Sequence, residues 1–180
     1  MISLRSKITQ RLLSYMFLHK DQAFYINELA RQLQVDDGNL TRKLHELAGK
    51  GILQSETKGN LTYFRLNLQF SLLGEYERIV QRTVGLEATL REKISGVKGI
   101  HEAYLHGSYA ANQLESASDI DLLAIGDHAS IALQKRLAPL QKEIGREINC
   151  LSMTEAEFRR RRASDPFLRS VFAKPTIRIL

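Results

Sequence analysis

Two aspartates, Asp119 and Asp121, lie on either side of Ile120, and the residues at positions 122–125 that follow them are all apolar. Apolar residues at positions 120, 122 and 123 predict a strand, so two carboxylates placed two positions apart emerge on the same face. Neighbouring carboxylates in apolar surroundings repel each other and lose hydration unless a cation joins them. Hard oxygen ligands at this spacing suit Mg²⁺, which binds one or two carboxylates together with substrate phosphates.

A glycine–serine pair, Gly107-Ser108, closes the preceding predicted strand at positions 100–106 and opens a helix. Glycine lets a backbone approach a phosphate closely, and the serine hydroxyl and the free amides of a helix start can hold anionic oxygens. The sequence therefore predicts a metal-binding site at the two aspartates and a triphosphate-binding turn at Gly107-Ser108, about ten residues apart.

The segment LHGSYAANQLESASDIDLLAIG at positions 105–126 resembles the signature of the DNA polymerase beta-like nucleotidyltransferases, and it is especially similar to that of the small minimal members. The shared pattern is Gly-Ser, a spacer and then Ser-Asp-x-Asp-Leu-Leu. The resemblance implies Mg²⁺ on the two aspartates and a nucleoside triphosphate as substrate or effector. The nucleotide-binding residues that it implies are Gly107, Ser108, Tyr109 and Ser118.

The chain departs from this family at the third carboxylate. Active members carry a third acidic residue on a later strand, and Asn149 occupies that place and cannot act as a general base. Glu147 lies two residues earlier on the same predicted strand face and is the candidate replacement, so the catalytic set is Asp119, Asp121 and Glu147. The Gly-Ser loop also differs, because Ala111 replaces a basic residue and Asn112, which tolerates positive φ, replaces a glycine.

The N-terminal third has the order helix, short strand, helix, turn, helix and hairpin. Asn27 is placed to cap the second helix, and the third helix is expected from about Asn39 to Lys50, where Gly51 ends it. The Gly59-Asn60 pair between two strand-like segments predicts a tight hairpin. When the leucines of the third helix face inward, polar and basic side chains face outward. The candidate DNA contacts are Asn39, Thr41, Arg42, Lys43 and His45, with Lys58 in the hairpin.

The run from Ile26 to Asn67 resembles the winged helix-turn-helix of ArsR-like bacterial and archaeal regulators. The resemblance implies binding of double-stranded DNA, with paired half-sites read by a homodimer. A winged helix used only for protein docking or dimerisation is the alternative. The predicted organisation is a DNA-binding domain at 1–67, a connector helix at 68–85 that is a candidate dimer interface, and a nucleotidyltransferase-like domain at 86–180. The fold class is α+β, with a mixed sheet flanked by helices in the second domain.

Charge and composition agree with a nucleic-acid partner. The net charge is +6, and residues 1–66 carry ten Lys and Arg against six Asp and Glu, whereas the longer remainder carries sixteen against fourteen. No apolar run approaches the roughly 18 residues of a membrane span, and the N-terminus lacks a signal-peptide core. The single cysteine, Cys150, forms no internal disulfide, so the cytoplasm is the expected location.

Two functions follow as hypotheses. The first is a transcriptional regulator whose nucleotidyltransferase-like domain binds a nucleotide or modifies a partner. The alternative is an active nucleotidyltransferase that modifies a protein, an RNA or a small molecule, with the winged helix used for targeting. An antitoxin that acts on a toxin partner is a special case of this alternative, and a scaffold with both sites degenerate is a third possibility.

Overall fold

The computed structural model describes residues 3–115 and 117–180. Met1 and Ile2, at the start of the predicted DNA-binding domain, and Ser116, in the spacer of the Gly-Ser signature, lie outside the described residues. The chain divides into two units, Met1–Leu86 and Glu87–Leu180. Each unit contains its own sheet. In the described part of the chain, no helix has the length and apolar character needed to cross a bilayer.

The first unit combines helices with a three-stranded antiparallel sheet in the order β1-β3-β2. Its elements are α1 (Lys7–Leu18), β1 (Phe24–Tyr25), α2 (Ile26–Leu33), α3 (Asp37–Gly49), β2 (Leu53–Lys58), β3 (Leu61–Leu66) and α4 (Leu73–Thr83). This is the predicted order of elements, and the hairpin turn at Gly59-Asn60 is confirmed, because Lys58 pairs directly with Leu61 and Gly59 has a φ of +59°.

Two helix starts differ from the prediction. Tyr25 is the N-cap of α2 and Asn27 lies inside its first turn, so the predicted Asn27 cap is wrong; β1 runs directly into the helix and leaves no room for a cap at that position. The α3 helix begins at Asp37, two residues before the predicted start. The cause is Asp36, whose carboxylate accepts a hydrogen bond from the Asn39 amide at 2.8 Å and satisfies the first turn.

The apolar faces of α1, α2 and α3 pack together over the sheet of the first unit. Phe17, Phe64 and Leu44 are almost completely buried in this core. The α4 helix belongs to the same core, because Val80 is fully buried in it. The buried Gln81 amide donates to the Ser14 carbonyl at 3.3 Å. The predicted connector is thus packed against the N-terminal helix.

The second unit has a mixed four-stranded sheet in the order β6-β5-β4-β7, in which only β5 and β6 are parallel. Its elements are α5 (Leu86–Ser95, beginning at the last residue of the first unit), β4 (Ile100–His106), α6 (Gly107–Ala110), β5 (Ile120–Gly126), α7 (Ser130–Ile144), β6 (Ile148–Met153), α8 (Glu155–Arg161), α9 (Pro166–Ala173) and β7 (Ile177–Arg178). A mixed sheet flanked by helices is the predicted arrangement, and the helix after Gly107 is a single turn.

The α8–α9 layer covers one face of this sheet. Phe158 and Leu168 from the two helices pack against Leu123 and Ile125 of β5 and Met153 of β6. Side chains alternate between the faces of a strand, so Asp121 faces the same side as Leu123 and Ile125. The helix α9 was not expected from the sequence.

Candidate nucleotide and metal site

Three polar side chains lie close together at the end of the sheet where β4 ends and where β5 and β6 begin. Asp121 in β5 is the register partner of His106 in β4 and of Asn149 in β6. Register partners on neighbouring strands project to the same face of a sheet. Asp121, His106 and Asn149 therefore share the face that the α8–α9 layer covers farther along the strands.

Asp119 lies just before β5, which begins at Ile120. Asp119 nevertheless joins the cluster, because the Asn149 side-chain amide donates to Asp119 Oδ2 at 3.1 Å. Asn149 thus links the two aspartates: it is bonded to one and is the strand partner of the other. Both carboxylates are partly exposed and accessible to a ligand.

Gly107 provides the close approach that the site requires. Its φ is +67°, and a Cβ at this position would lie 2.2 Å from Asp121 Oδ2. Any side chain would therefore displace the carboxylate as well as strain the backbone. The turn that follows is closed by the Gln113 amide, which donates to the Ser108 carbonyl at 2.8 Å. Asn112 adopts a φ of +55°, in agreement with the tolerance predicted for it.

Tyr109 and Ser118, the other two predicted nucleotide-binding residues, both form internal hydrogen bonds. The Tyr109 hydroxyl donates to Glu87 Oε1 at 3.4 Å, and Glu87 is buried. The Ser118 hydroxyl oxygen accepts from the Glu115 amide at 3.1 Å. The contact of Tyr109 agrees with a structural role for this residue in holding the Gly-Ser turn.

Arg146 anchors the entrance to β5 and was missed by sequence reasoning. Its buried guanidinium donates to the Ser118 carbonyl, one residue before Asp119. The Ile120 amide, one residue after Asp119, donates to the Glu147 carbonyl at 2.9 Å. These two bonds fix the backbone on both sides of Asp119. A single arginine in a turn gives no sequence signal that distinguishes it from a surface residue.

Glu147, the candidate third carboxylate, is exposed and precedes β6. Among residues 3–115 and 117–180, no group of three or more His, Cys, Asp or Glu side chains is arranged to hold a metal ion. The structure therefore brings Asp119 and Asp121 together with Asn149 but does not gather Glu147 into the same group.

Two ionisable groups on the neighbouring strands β4 and β6 have shifted pKa values. Burial lowers the pKa of His106, while the Asp121 carboxylate acts in the opposite direction. Burial raises the pKa of Cys150 to about 11, so this thiol stays protonated at neutral pH. The rings of Phe167, at the start of α9, and His106 form a T-shaped contact with the centroids 5.8 Å apart. Sequence reasoning attached no role to Phe167.

The candidate DNA contacts lie on α3 and on the hairpin of the first unit. Asn39, Arg42, His45 and Lys58 are exposed. Thr41 and Lys43 are half-buried on α3, where the Thr41 hydroxyl donates to the Asp37 carbonyl at 2.7 Å. Leu40, Leu44 and Leu47 are completely buried, as predicted. The side chains of α3 are therefore divided between an apolar inner face and a polar outer face.

Several outer-face residues are bonded to one another. The Arg42 guanidinium donates to the Asn39 side chain. Glu46 forms ion pairs with both Lys43 and Lys50, and hydrogen bonds from Lys43 and then Lys50 lower the Glu46 pKa to about 2. This single carboxylate is shared by two lysines, so it offsets one of the positive charges on α3 and its C-cap.

Comparison with solved structures found chains of low similarity, among them the following two. A mutant of the toxin–antitoxin complex MntA–HpeT aligns over 53% of this chain and 69% of that chain, at 15% identity and a TM-score of 0.37. TrmBL2, an archaeal chromatin protein with a novel mode of DNA binding, aligns over 88% of this chain and 70% of that chain, at 17% identity and a TM-score of 0.30. No assignment rests on these two alignments.

Comparison with curated proteins found no significant match, whereas comparison with protein families did. Residues 86–179, more than half of the chain, match the nucleotidyltransferase domain family, and the match contains Gly107, Asp119 and Asp121. The chain therefore belongs to the nucleotidyltransferase domain family.

Proposed function

We propose that this chain is a DNA-binding transcriptional regulator whose nucleotidyltransferase domain binds a nucleoside triphosphate together with Mg²⁺. The observation that carries the nucleotide half is the cluster of Asp119, Asp121 and Asn149 beside Gly107, with Asp121 Oδ2 only 2.2 Å from where a Cβ would lie on the glycine. The Asp121 carboxylate occupies the space that a side chain at Gly107 would need, so a glycine is required for the turn to lie this close to the proposed metal ligand.

The residues present fit a magnesium ion that arrives with its nucleotide. Mg²⁺ commonly takes one or two protein carboxylates and completes its shell with phosphate oxygens and water. Asp119 and Asp121 supply the carboxylates, and the Gly107-Ser108 turn supplies a small-residue approach for the phosphates. When bound, the metal would offset part of the negative charge of the triphosphate, while Asn149 and Arg146 hold Asp119 in place.

The first unit supports DNA binding through α3. We infer that α2, α3 and the β2–β3 hairpin form a winged helix-turn-helix, with α3 in the major groove and Lys58 contacting the backbone. The polar outer face of α3 offers Asn39 and Arg42, residue types that pair with base edges. The basic charge of this part of the chain favours phosphate contacts.

Nucleotidyl transfer is a second candidate, supported by family membership and by the presence of both aspartates. An acceptor hydroxyl on a protein (a toxin partner included), an RNA or a small molecule would attack the α-phosphate and release pyrophosphate. Because Asn149 cannot accept a proton as a carboxylate does, the exposed Glu147 would have to take that role. Nucleotide binding without transfer needs no general base, so it requires fewer functional groups than the transfer reaction does.

Incubation with labelled nucleoside triphosphates, Mg²⁺ and lysate separates the two candidates. Under our proposal the protein retains nucleotide, loses it after Asp119→Ala or Asp121→Ala, and labels no acceptor. Labelling that disappears in the Asp119→Ala and Asp121→Ala variants would favour the transfer reaction. Failure of the wild-type protein to bind any of the four triphosphates would contradict both candidates.

A mobility-shift assay tests the DNA-binding part of the proposal, with the DNA upstream of the protein's own coding sequence as the probe. Arg42→Ala and Lys43→Ala should weaken binding and reduce its dependence on salt, because each removes a positive charge from α3. Lys135→Ala is a charge-matched control, since Lys135 is exposed on α7 of the second unit. Equal losses in all three variants would count against α3 as the reading helix.

A further inference from the structure

Phe167 is an exposed aromatic residue at the edge of the candidate nucleotide site. It retains 45% of its accessible surface although it lies on α9, one residue before the fully buried Leu168. Its ring contacts His106, which is the residue before Gly107 and the strand partner of Asp121. One side chain therefore separates Phe167 from the proposed metal ligand.

The position of Phe167 relative to the sheet also places it at the candidate site. The α8–α9 layer packs on the Asp121 face through Phe158 and Leu168. Asp121, His106 and Asn149 lie beyond this layer at the strand ends, and Phe167 borders them on the α9 side. A ligand held at Asp121 and Gly107 would meet the ring of Phe167 on that side.

The backbone around Phe167 is held in place by the start of its helix. Asp165 caps α9 by accepting hydrogen bonds from the Phe167 amide at 2.8 Å and the Leu168 amide at 3.3 Å. Pro166 occupies the first turn, where its fixed φ suits a helix start. An aromatic ring that is ordered before binding loses little conformational entropy when a ligand stacks on it.

We propose that Phe167 is the stacking platform for the base of the bound nucleotide, and this inference rests on the proposed nucleotide-binding function. The metal and the phosphates lie at Asp119, Asp121 and the Gly107-Ser108 turn. The base lies against the exposed part of the Phe167 ring, while His106 packs against the same ring in a T-shaped contact. Aromatic stacking accepts any base but favours purines, whose ring surface is larger. Tyr109, the aromatic residue among the predicted nucleotide-binding residues, has its hydroxyl bonded to the buried Glu87.

Comparing two ligands tests the proposal, because only one of them carries a base. Calorimetry would measure the affinity of the full chain for MgATP and for Mg-tripolyphosphate. Phe167→Ala should weaken MgATP binding by roughly tenfold or more, the range expected for loss of one aromatic stack, and leave tripolyphosphate affinity within about twofold. Phe167→Tyr should retain MgATP affinity, since it preserves the ring.

Ile131→Ala is the matched control, because Ile131 is another exposed apolar residue of the same unit, 69% accessible and located on α7. Equal weakening of both ligands by Phe167→Ala, or no weakening of either, would overturn the base platform while leaving the metal–phosphate site intact. Failure of both ligands to bind the wild-type chain would instead reject the nucleotide site and this proposal with it.

Discussion

At the scale of single residues, the site depends on the contact between Gly107 and Asp121. The φ of +67° at Gly107 is in the left-handed region, and the Asp121 carboxylate fills the space where a side chain would lie. Both constraints require glycine, one because of the backbone and the other because of packing. The residue that opens the predicted phosphate turn therefore also sets the position of a predicted metal ligand.

Replacing Gly107 with alanine should separate these two constraints. The left-handed backbone alone should cost about 1–2 kcal/mol in the free energy of unfolding. Displacement of Asp121 should in addition remove Mg-dependent nucleotide binding. Urea unfolding and nucleotide titration measure the two effects. Gly59→Ala is the control for strain, because Gly59 has a φ of +59° with no atom near its missing Cβ. Normal nucleotide affinity in Gly107→Ala would refute the proposed role of this contact.

Asn149→Asp should create the three-carboxylate site that this chain lacks. The new carboxylate would lie beside both Asp119 and Asp121, so without metal the repulsion should destabilise the fold by roughly 1 kcal/mol. Added Mg²⁺ should stabilise Asn149→Asp more than the wild type, because it binds only the folded site. Thermal unfolding with and without Mg²⁺ measures this difference. Asn149→Ala, which adds no charge, should show no such gain, and an equal Mg²⁺ response in all three proteins would contradict the geometry.

Sequence reasoning found the site residues whose chemistry is visible in local spacing. Asp119, Asp121 and Gly107 stand out because charged or flexible residues interrupt apolar strands. Arg146 and Phe167 could not be found in this way, since their roles arise from contacts with Ser118 and His106 that are distant in the chain. The residues of each pair come together only in the folded chain.

At the scale of elements, α3 carries a polar face whose charge is partly neutralised from within. Glu46 bonds to Lys43 and Lys50, and its pKa of about 2 keeps it ionised at any physiological pH. The helix therefore offers DNA less positive charge than its lysines and arginine suggest. This internal pairing would moderate non-specific phosphate binding, which grows with each available cation.

Glu46→Gln should consequently tighten DNA binding at low salt. Releasing Lys43 and Lys50 should raise affinity by roughly two- to tenfold and make the logarithm of the affinity fall more steeply with the logarithm of salt concentration. Fluorescence anisotropy across a salt series measures both quantities. Glu155→Gln on α8 removes the same charge away from α3 and should have a smaller effect. If the two variants behaved alike, only net charge would be involved.

The elements show which local signals are sufficient. The β4 bounds and the hairpin agree with the sequence pattern because strand alternation and a Gly-Asn turn are strong signals. The α9 helix was missed even though Asp165-Pro166 is a good helix start, because its eight residues are too few for a helical period to stand out. Asn27 failed as a cap because β1 runs directly into α2.

At the scale of the whole molecule, the first unit has an apolar surface that its own core does not cover. Three large apolar residues between positions 68 and 79 are exposed: Leu68, Leu72 and Ile79, with accessibilities of 63%, 50% and 49%. The opposite side of α4 is buried through Val80. We propose that the exposed side of α4 contacts a second copy of the chain, which would pair two α3 helices for a two-fold operator.

Ile79→Lys should therefore yield a monomer that binds operator DNA more weakly. A charge in an apolar interface would be desolvated without a partner, and this should weaken self-association by well over tenfold. Analytical ultracentrifugation measures the mass of both proteins, and circular dichroism checks that the fold is retained. A wild-type chain that is monomeric at DNA-binding concentrations would exclude this interface.

The central claim, that Asp119 and Asp121 hold a metal together with a nucleotide beside Gly107, has one most direct test. A crystal structure of the chain with Mn²⁺ and a non-hydrolysable triphosphate would locate the metal by its anomalous scattering. We expect a peak within about 2.0–2.3 Å of an oxygen of both carboxylates, with the triphosphate along the Gly107-Ser108 turn. A nucleotide bound elsewhere, or one bound with no metal at either aspartate, would contradict the account.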